Sequence, residues 1–567
     1  MADPKPLTLI HGPTIRHGSS VASQIRSELM RQRYREKRLR IRNAAEIESA
    51  QSPAPRCLCS ASVTIEEQSI SSGFTTPDSA SVIAVCHECH GGQAPGLRAL
   101  LPAVPLWGVA TGRADPFFPE DRRLESFDYL LHECSQVVLP TARPGEFAER
   151  SVQAYLHPER SPMVMQSMFY SALLHLRALP ILRRLPDGIF SEPSSHTRQL
   201  LQIKGAVMNQ IRQKLSTVDS NSIHEPEVED VVLSILHLAA NENLDKIKPP
   251  ETSPFAPPFR RLQSLEFYGS CEYHPLHWQT VQHIVTQRGG LDTLKLYGLS
   301  WLISISELLV AVNTDHKPIF PLIYPDGRPF IHRSPLQALE IRQTPRHVSL
   351  RNHGFQQLAL LDPPIKGVVI RVFLSFTEIA QALDCLANQA CGARLLTLII
   401  DTRSGVMHRL CSLPDDTDRP TAIFPRRQCT PEEQDRSRTI YRLCRKTAVL
   451  YSANVVLPLP QTSQLRQRMT HEVYAYMLCL GDERKQSELE VLLWCAVIVG
   501  ICADGTPALR SWFVNEAGNL CRMLLITSWD DLLVLMQSFG WLDCASNEAG
   551  KGLWSEIQRA VGSQLGS

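Results

Sequence analysis

The sequence has no long hydrophobic run and no excess of charge of either sign. Its longest uncharged apolar run, residues 491–503, is shorter than the roughly 20 residues that a membrane-spanning helix needs, and we interpret it as a buried helix. Lys and Arg number 58 and Asp and Glu number 57, which gives a formal net charge of +1. We therefore expect no membrane partner, and we expect any nucleic-acid contact to be local rather than spread over the whole surface.

Cysteine frameworks and catalytic motifs are also missing. The 16 cysteines are scattered, and residues 1–13 carry charges and prolines where a signal peptide needs an apolar stretch. We expect reduced thiols and a protein that is not secreted. The sequence contains no G-x-S-x-G, P-loop or G-x-G-x-x-G motif. We therefore predict neither an enzyme activity nor a cofactor.

Helical periodicity dominates the chain after about residue 98. Thr430 and Ser528, each followed by acidic residues, are predicted helix N-caps. The run 366–372 is a strand candidate, and loops are predicted at 248–258, 321–329 and 413–425. The predicted helical stretches are 151–182, 199–215, 226–240, 274–285, 291–312, 373–390, 431–451, 464–480, 487–503, 507–525, 528–539 and 550–561.

These patterns predict an all-α protein with two regions. Residues 105–562 have enough apolar material for a large helical domain of roughly twelve or more helices in two packed sub-bundles. Residues 1–104 contain a Ser-, Thr- and Pro-rich stretch with little apolar periodicity, which predicts a low-complexity, largely disordered N-terminal region.

A basic segment, residues 26–42, lies in the N-terminal region. It holds eight Lys and Arg residues against Glu28 and Glu36, and eight minus two gives +6 in a chain whose total is +1. Nuclear import receptors bind such runs, and arginines bind phosphates through paired hydrogen bonds. Three interpretations of this segment stay open: nuclear import, loose contact with DNA, and a solvated arm without a partner. The candidate import-receptor or phosphate contacts are Arg31, Arg33, Arg35, Lys37, Arg38, Arg40 and Arg42.

Four cysteines of the N-terminal region are the candidate metal ligands. The C-H-E-C-H sequence at 86–90 has the spacing of a c-type haem attachment site, but that attachment requires export. Cys57, Cys59, Cys86 and Cys89 could together supply four thiolates to zinc. The long low-complexity gap between the two pairs is unlike a structural zinc site, so we predict no metal and keep these four cysteines as the alternative.

Acidic and histidine-containing motifs elsewhere have plainer interpretations. Asp415, Asp416 and Asp418 resemble a magnesium-binding cluster, but they lie between prolines and indicate a solvated loop. The pair 471–472 begins an H-E-x-x-H zinc motif, but Ala475 stands where the second histidine is needed. Lone histidines on predicted helices are interpreted as packed residues: His175, His237 and His283.

Short phrases containing tryptophan and glycine mark the predicted helical domain. G-R-A-D-P-F lies at 112–117 and G-G-L at 289–291. The C-terminal third contains, in order, L-L-W at 492–494, G-I-C-A at 500–503, S-W-F at 511–513, S-W-D-D at 528–531, W-L-D at 541–543 and L-W at 553–554. In order and spacing these phrases resemble the fungal-specific transcription factor domain family over roughly residues 105–562. Their tryptophans are predicted packing residues.

The resemblance implies a helical regulatory and dimerisation domain of a nuclear transcriptional regulator, without a catalytic group. In that family a Zn₂Cys₆ cluster commonly precedes the domain, and no such cysteine pattern stands before residue 105. We therefore predict a nuclear regulator or co-regulator whose partners are an import receptor, other transcriptional proteins, a second copy of the chain and DNA contacted non-specifically. The alternatives are a cytosolic helical scaffold without DNA binding and an uncharacterised all-α enzyme.

Overall fold

The computed structural model describes residues 131–156, 160–183, 193–217, 222–241, 248–271, 273–341, 354–425, 430–481 and 483–565. These ranges contain helices and loops and no strand, apart from one isolated bridge between Ile323 and Pro329. The predicted all-α class is therefore confirmed. All of these residues belong to one compact unit, Pro105–Ser567. None of their helices is both long enough and apolar enough to cross a bilayer.

The first group of helices packs around α2 and α4. Helix α2 lies against α3 and α4, and α4 also contacts α5 and α6. The long helices of this group are α1 Glu146–Tyr155, α2 Pro162–Arg183, α3 Pro193–Leu215, α4 Pro226–Asn241, α5 Pro275–Gln287 and α6 Leu299–Thr314. Shorter turns are Cys134–Val138, Leu139–Ala142, Ser222–His224, Leu262–Ser264, Leu265–Tyr268 and Leu291–Thr293.

The second group packs around α11, which is apolar on every side and buried along nearly its whole length, as the run 491–503 predicts. Helix α11 contacts α9, α10, α12 and α14, and α8 joins the two groups by contacting α6. The long helices here are α7 Gly367–Leu386, α8 Ala393–Cys411, α9 Pro431–Val455, α10 Ser463–Cys479, α11 Leu489–Cys502, α12 Pro507–Met523, α13 Trp529–Ser538 and α14 Asp543–Leu565. Shorter turns are Pro335–Ala338, Gly354–Ala359, Pro420–Ala422 and Gln486–Glu488.

Local signals set several helix ends. Thr430 Oγ1 accepts a hydrogen bond from the backbone N–H of Glu433 at 3.3 Å, and Ser528 Oγ accepts one from Asp531 at 3.1 Å. In each case the acidic side chain accepts a hydrogen bond from the cap residue's own N–H, which completes a capping box. Both predicted N-caps are confirmed.

The predictions for residues 366–372 and for the segment that forms α8 are wrong. The strand candidate 366–372 lies at the start of α7, where its β-branched residues are buried in part by helix packing. The whole of α8 is absent from the predicted helices, because residues 402–405 of α8, Thr-Arg-Ser-Gly, are buried although most of them are polar. Burial of polar side chains breaks the apolar periodicity on which the prediction depends.

The core of the second group is aromatic. Trp494 of α11 is fully buried. Its ring stacks on Phe539 with 5.8 Å between ring centroids and meets Phe355 edge-on at 5.1 Å. Phe376 of α7 packs at 6.3 Å from the same ring. Trp494 therefore holds together segments that are far apart in the sequence.

Candidate functional site

The residues predicted to bind metal, import receptor or phosphate lie outside the described residues. They are Arg31, Arg33, Arg35, Lys37, Arg38, Arg40, Arg42, Cys57, Cys59, Cys86 and Cys89. The G-R-A-D-P-F phrase at 112–117 lies outside them as well. Their assignments stay predictions.

The acidic loop after α8 is neutralised by cations of the protein itself. Lys317 contacts both Asp415, at 3.4 Å, and Asp418, and Asp416 pairs with Arg442. Partial burial raises the pKa of Asp415, but hydrogen bonds from Thr417 and the charge of Lys317 outweigh it and lower the pKa to about 2. Nowhere in the described ranges do three or more His, Cys, Asp or Glu residues gather in a way that could hold a metal ion.

The three lone histidines have different surroundings. His175 is buried, and its ring meets Phe267 edge-on at 4.8 Å. His237 Nδ1 lies 3.0 Å from the Ser167 hydroxyl. Burial lowers the pKa of both histidines to about 4, so both are neutral at pH 7. His283, in contrast, is exposed on α5.

The G-G-L phrase is the turn that ends α5. Gly289 and Gly290 have φ values of +99° and +119°, which glycine adopts without steric cost. Just before them, the Arg288 guanidinium is buried and donates to Glu229 at 2.9 Å and to the carbonyl of Ile223 at 2.6 Å. The turn therefore carries a buried ion pair between α5 and α4.

Glu229 also fixes the segment that leads into α6. Its carboxylate accepts hydrogen bonds from the backbone N–H of Lys295 at 3.0 Å and of Leu296 at 2.6 Å. Together with Arg288, these donors satisfy both carboxylate oxygens inside the protein. One side chain thus joins α4, the end of α5 and the approach to α6.

The tryptophans of the C-terminal phrases are packing residues to different degrees. Trp494, Trp541 and Trp554 are buried. Trp512 and Trp529 are half-buried and pack at the edge of the same core. Trp512, for example, meets the ring of Tyr474 edge-on at 4.9 Å.

Helix α8 carries buried polar contacts that sequence reasoning missed. Arg403 is fully buried and donates to Gln263 Oε1 at 2.8 Å and to the carbonyl oxygens of Phe259 and Leu262. Burial without a described carboxylate partner lowers its pKa to about 9, so it keeps its charge at pH 7. Arg403 therefore anchors the turn 259–264 onto α8.

A cleft of about 280 Å³ lies along the other side of α8. The segment 322–330 forms one wall as a tight hairpin, in which the N–H of Tyr324 donates to the carbonyl of Arg328 at 2.8 Å and the N–H of Phe330 donates to Leu322 at 3.1 Å. The opposite wall is the α8 stretch from Leu398 to Arg409. The lining of the cleft is mixed polar and apolar.

A second, smaller cavity of about 80 Å³ lies in the first group of helices. It is lined mainly by apolar side chains, and two of its tyrosine hydroxyls already have partners in the protein. Tyr155 donates to the carbonyl of Tyr297 at 2.8 Å, and Tyr273 donates to the Ser306 hydroxyl at 3.1 Å. It offers less space than the cleft along α8.

A polar stretch within α8 marks the cleft in the sequence, but its meaning is clear only once the fold is known. Thr-Arg-Ser-Gly at 402–405 stands between two apolar runs of one helix. Gly405 makes room for an aromatic ring, since a Cβ atom there would lie 2.6 Å from Phe330 Cε1. A polar and glycine-containing stretch inside a buried helix is the feature that sequence reasoning passed over.

The chain was compared with models of known protein families, with curated proteins and with solved structures. None of the three comparisons finds a match.

Proposed function

We propose that this chain is a nuclear regulator or co-regulator of transcription that acts through its helical domain, as the resemblance to the fungal-specific transcription factor domain family implies. The observation that carries the proposal is the ordered series of phrases from G-G-L at 289–291 to L-W at 553–554. In the fold these phrases supply the turn after α5, the centre of α11 and the cap of α13. Packing roles of this kind fit a domain that binds other macromolecules.

The distribution of charge supports the same role. The basic segment 26–42 has a net charge of +6, and the whole chain has +1, so the rest of the chain carries 1 − 6 = −5. A basic segment in an otherwise slightly acidic chain can bind an import receptor or DNA phosphates without the rest of the chain doing so. Partners of the helical domain are then other transcriptional proteins or a second copy of the chain.

Nuclear import is tested by charge removal in the basic segment. A full-chain fluorescent fusion is expected to accumulate in the nucleus, and substitution of four residues by Ala is expected to shift it to the cytosol because the receptor-binding charge is lost. The measurement is the nuclear-to-cytosolic fluorescence ratio. The four residues are Arg35, Lys37, Arg38 and Arg40.

A matched control removes the same charge from the folded domain. Four exposed basic residues there are replaced by Ala, and the fusion is expected to stay nuclear. Nuclear accumulation that survives the four substitutions in the basic segment would overturn the import assignment. A cytosolic unmodified fusion would favour the scaffold alternative. The control residues are Arg260, Arg261, Arg394 and Lys551.

A further inference from the structure

The carboxylate that lines the cleft along α8 is neutralised by an arginine that is not part of the cleft lining. Asp401 is the one acidic residue among the described residues that line the cleft. Both of its oxygens accept hydrogen bonds from the Arg143 guanidinium, at 2.5 and 2.8 Å. This bidentate pair is largely buried, and Arg143 does not line the cleft. Asp401 therefore leaves the cations of the cleft without a counterion.

Two arginines of the cleft have no carboxylate partner among the described residues. Arg409, half-buried, donates to the hydroxyl of Ser375 at 3.0 Å. Burial lowers the pKa of Arg409, and the nearby charge of Arg371 lowers it further, while Glu378 opposes this effect without forming an ion pair. Arg333 is exposed at the rim.

The remaining charged groups do not supply the missing counterion. Arg328 at the mouth of the cleft is paired with Asp326 at 2.6 Å. Glu378 accepts a hydrogen bond from the Ser334 hydroxyl. His332 is exposed at the rim, but the packing around its ring and the charge of Arg409 lower its pKa to about 4, so it is neutral at pH 7. An anion in the cleft would thus meet two arginines that form no ion pair with any described residue.

Aromatic rings form the wall beside these arginines. The ring of Phe330 lies 5.1 Å from that of Tyr324 and 5.1 Å from that of His332, centroid to centroid. Phe330 rests on Gly405, and Leu398 and Val406 of α8 add apolar surface to the lining. Such a wall favours a flat apolar group, because rings gain energy by stacked or edge-on contact.

The end of α8 opposes the build-up of negative charge beside Arg409. Arg409 lies in the last turn of α8, where the partial negative charge of the helix dipole is concentrated. A dianion such as a phosphate ester would meet more of this repulsion than a carboxylate does.

We propose that the cleft along α8 binds a small aromatic carboxylate, with the carboxylate held by Arg333 and Arg409 and the ring packed against Phe330. Guanidinium groups match a carboxylate with two parallel hydrogen bonds, and a volume of about 280 Å³ suits a ligand of this size. Binding of this ligand does not depend on a role in transcription, so the two proposals can fail separately.

Calorimetric titration of the purified full chain tests the proposal with benzoate as the probe. Benzamide has nearly the same shape without the charge, and phenyl phosphate has the same ring with a larger charge. We expect saturable binding of benzoate in the millimolar range or tighter. Binding of benzamide is expected to be weaker by a factor of about ten or more, the loss expected for one charge-assisted hydrogen bond. Phenyl phosphate is expected to bind more weakly than benzoate because of the repulsion at the end of α8.

Arginine variants connect the binding to the two guanidinium groups. Arg409→Gln and Arg333→Gln are each expected to weaken benzoate binding by about tenfold or more. Arg333 is exposed, so its variant is expected to fold as the unmodified chain does. Arg394→Gln is the matched control, because Arg394 lies exposed on the same helix and pairs with Glu340 away from the cleft; its binding is expected to be unchanged.

Three results would overturn the proposal. They are no saturable binding of benzoate, benzamide binding as tightly as benzoate, and benzoate binding that survives both cleft variants. Tighter binding of phenyl phosphate than of benzoate would overturn the assignment to carboxylates and indicate a phosphate-binding cleft. Unchanged circular dichroism of each variant shows that lost binding does not come from lost folding.

Discussion

Replacing Glu229 by Ala is expected to lower the free energy of unfolding by about 3–5 kcal/mol. The substitution leaves the Arg288 guanidinium buried without its counterion, and it leaves the N–H groups of Lys295 and Leu296 without their acceptor. A buried charge that has lost its partner costs far more than the pair contributes. The measurement is the midpoint and slope of chemical unfolding, followed by circular dichroism.

An exposed ion pair of the same protein is the control for Glu229→Ala. Arg394 and Glu340 form a pair at 2.6 Å whose side chains are 81% and 66% exposed, compared with 3% and 4% for Arg288 and Glu229. Arg394→Ala is therefore expected to cost about 0–1 kcal/mol. Equal losses for the two variants would contradict the structural role assigned to the turn after α5.

Replacing Trp494 by Ala is expected to lower the free energy of unfolding by about 3–5 kcal/mol. Trp494 contributes the largest fully buried side chain of the described residues and lies against Phe355, Phe376 and Phe539. Its removal opens a cavity between α11, α7 and two connecting segments that cannot close without moving whole helices. The measurement is again chemical unfolding.

The variant Trp494→Phe separates the cavity from the chemistry of the indole. Trp494 Nε1 is buried without a hydrogen-bond partner in the described part of the chain, so losing this N–H removes no stabilising bond. We expect a cost of no more than about 1.5 kcal/mol, because most of the ring volume is kept. A loss as large as that of the Ala variant would mean that filled volume alone does not account for what Trp494 contributes to stability.

Local sequence signals predict much of this fold. The apolar run 491–503 identifies α11, and the caps at Thr430 and Ser528 identify the starts of α9 and α13. These predictions succeed because they depend on side-chain spacing and on hydrogen bonds within one turn. The stretch 151–182, in contrast, is two helices, α1 and α2. The sequence H-P-E-R-S-P at 157–162 interrupts the apolar pattern between them, and the prediction of one helix passed over these two prolines.

The cleft could not be predicted in the same way. Its parts come from the hairpin 322–330 and from α8, and Asp401 is neutralised by Arg143, which is distant in sequence. Gly405 lowers the helix propensity of α8, yet in the fold its lack of a side chain leaves room for the ring of Phe330. Contacts between such distant segments form only when the chain folds, so no local sequence pattern predicts them.

A ligand site in the helical domain would give a regulator a means of responding to a metabolite. The cleft lies on α8, the helix that contacts α6 of the first group and α7 and α9 of the second. A carboxylate that binds Arg409 would stabilise the arrangement of α8 in which the cleft is formed, by the free energy of its binding. Binding of the carboxylate and binding of partner proteins can then be measured in the same Arg333 and Arg409 variants.

The most direct test of a role in transcription is the chromatin occupancy of the full chain, tagged and crosslinked in its own cells. We expect discrete sites of enrichment near promoters, well above those of a tag that is sent to the nucleus alone. Occupancy indistinguishable from that tag would contradict the assignment of this protein as a transcriptional regulator.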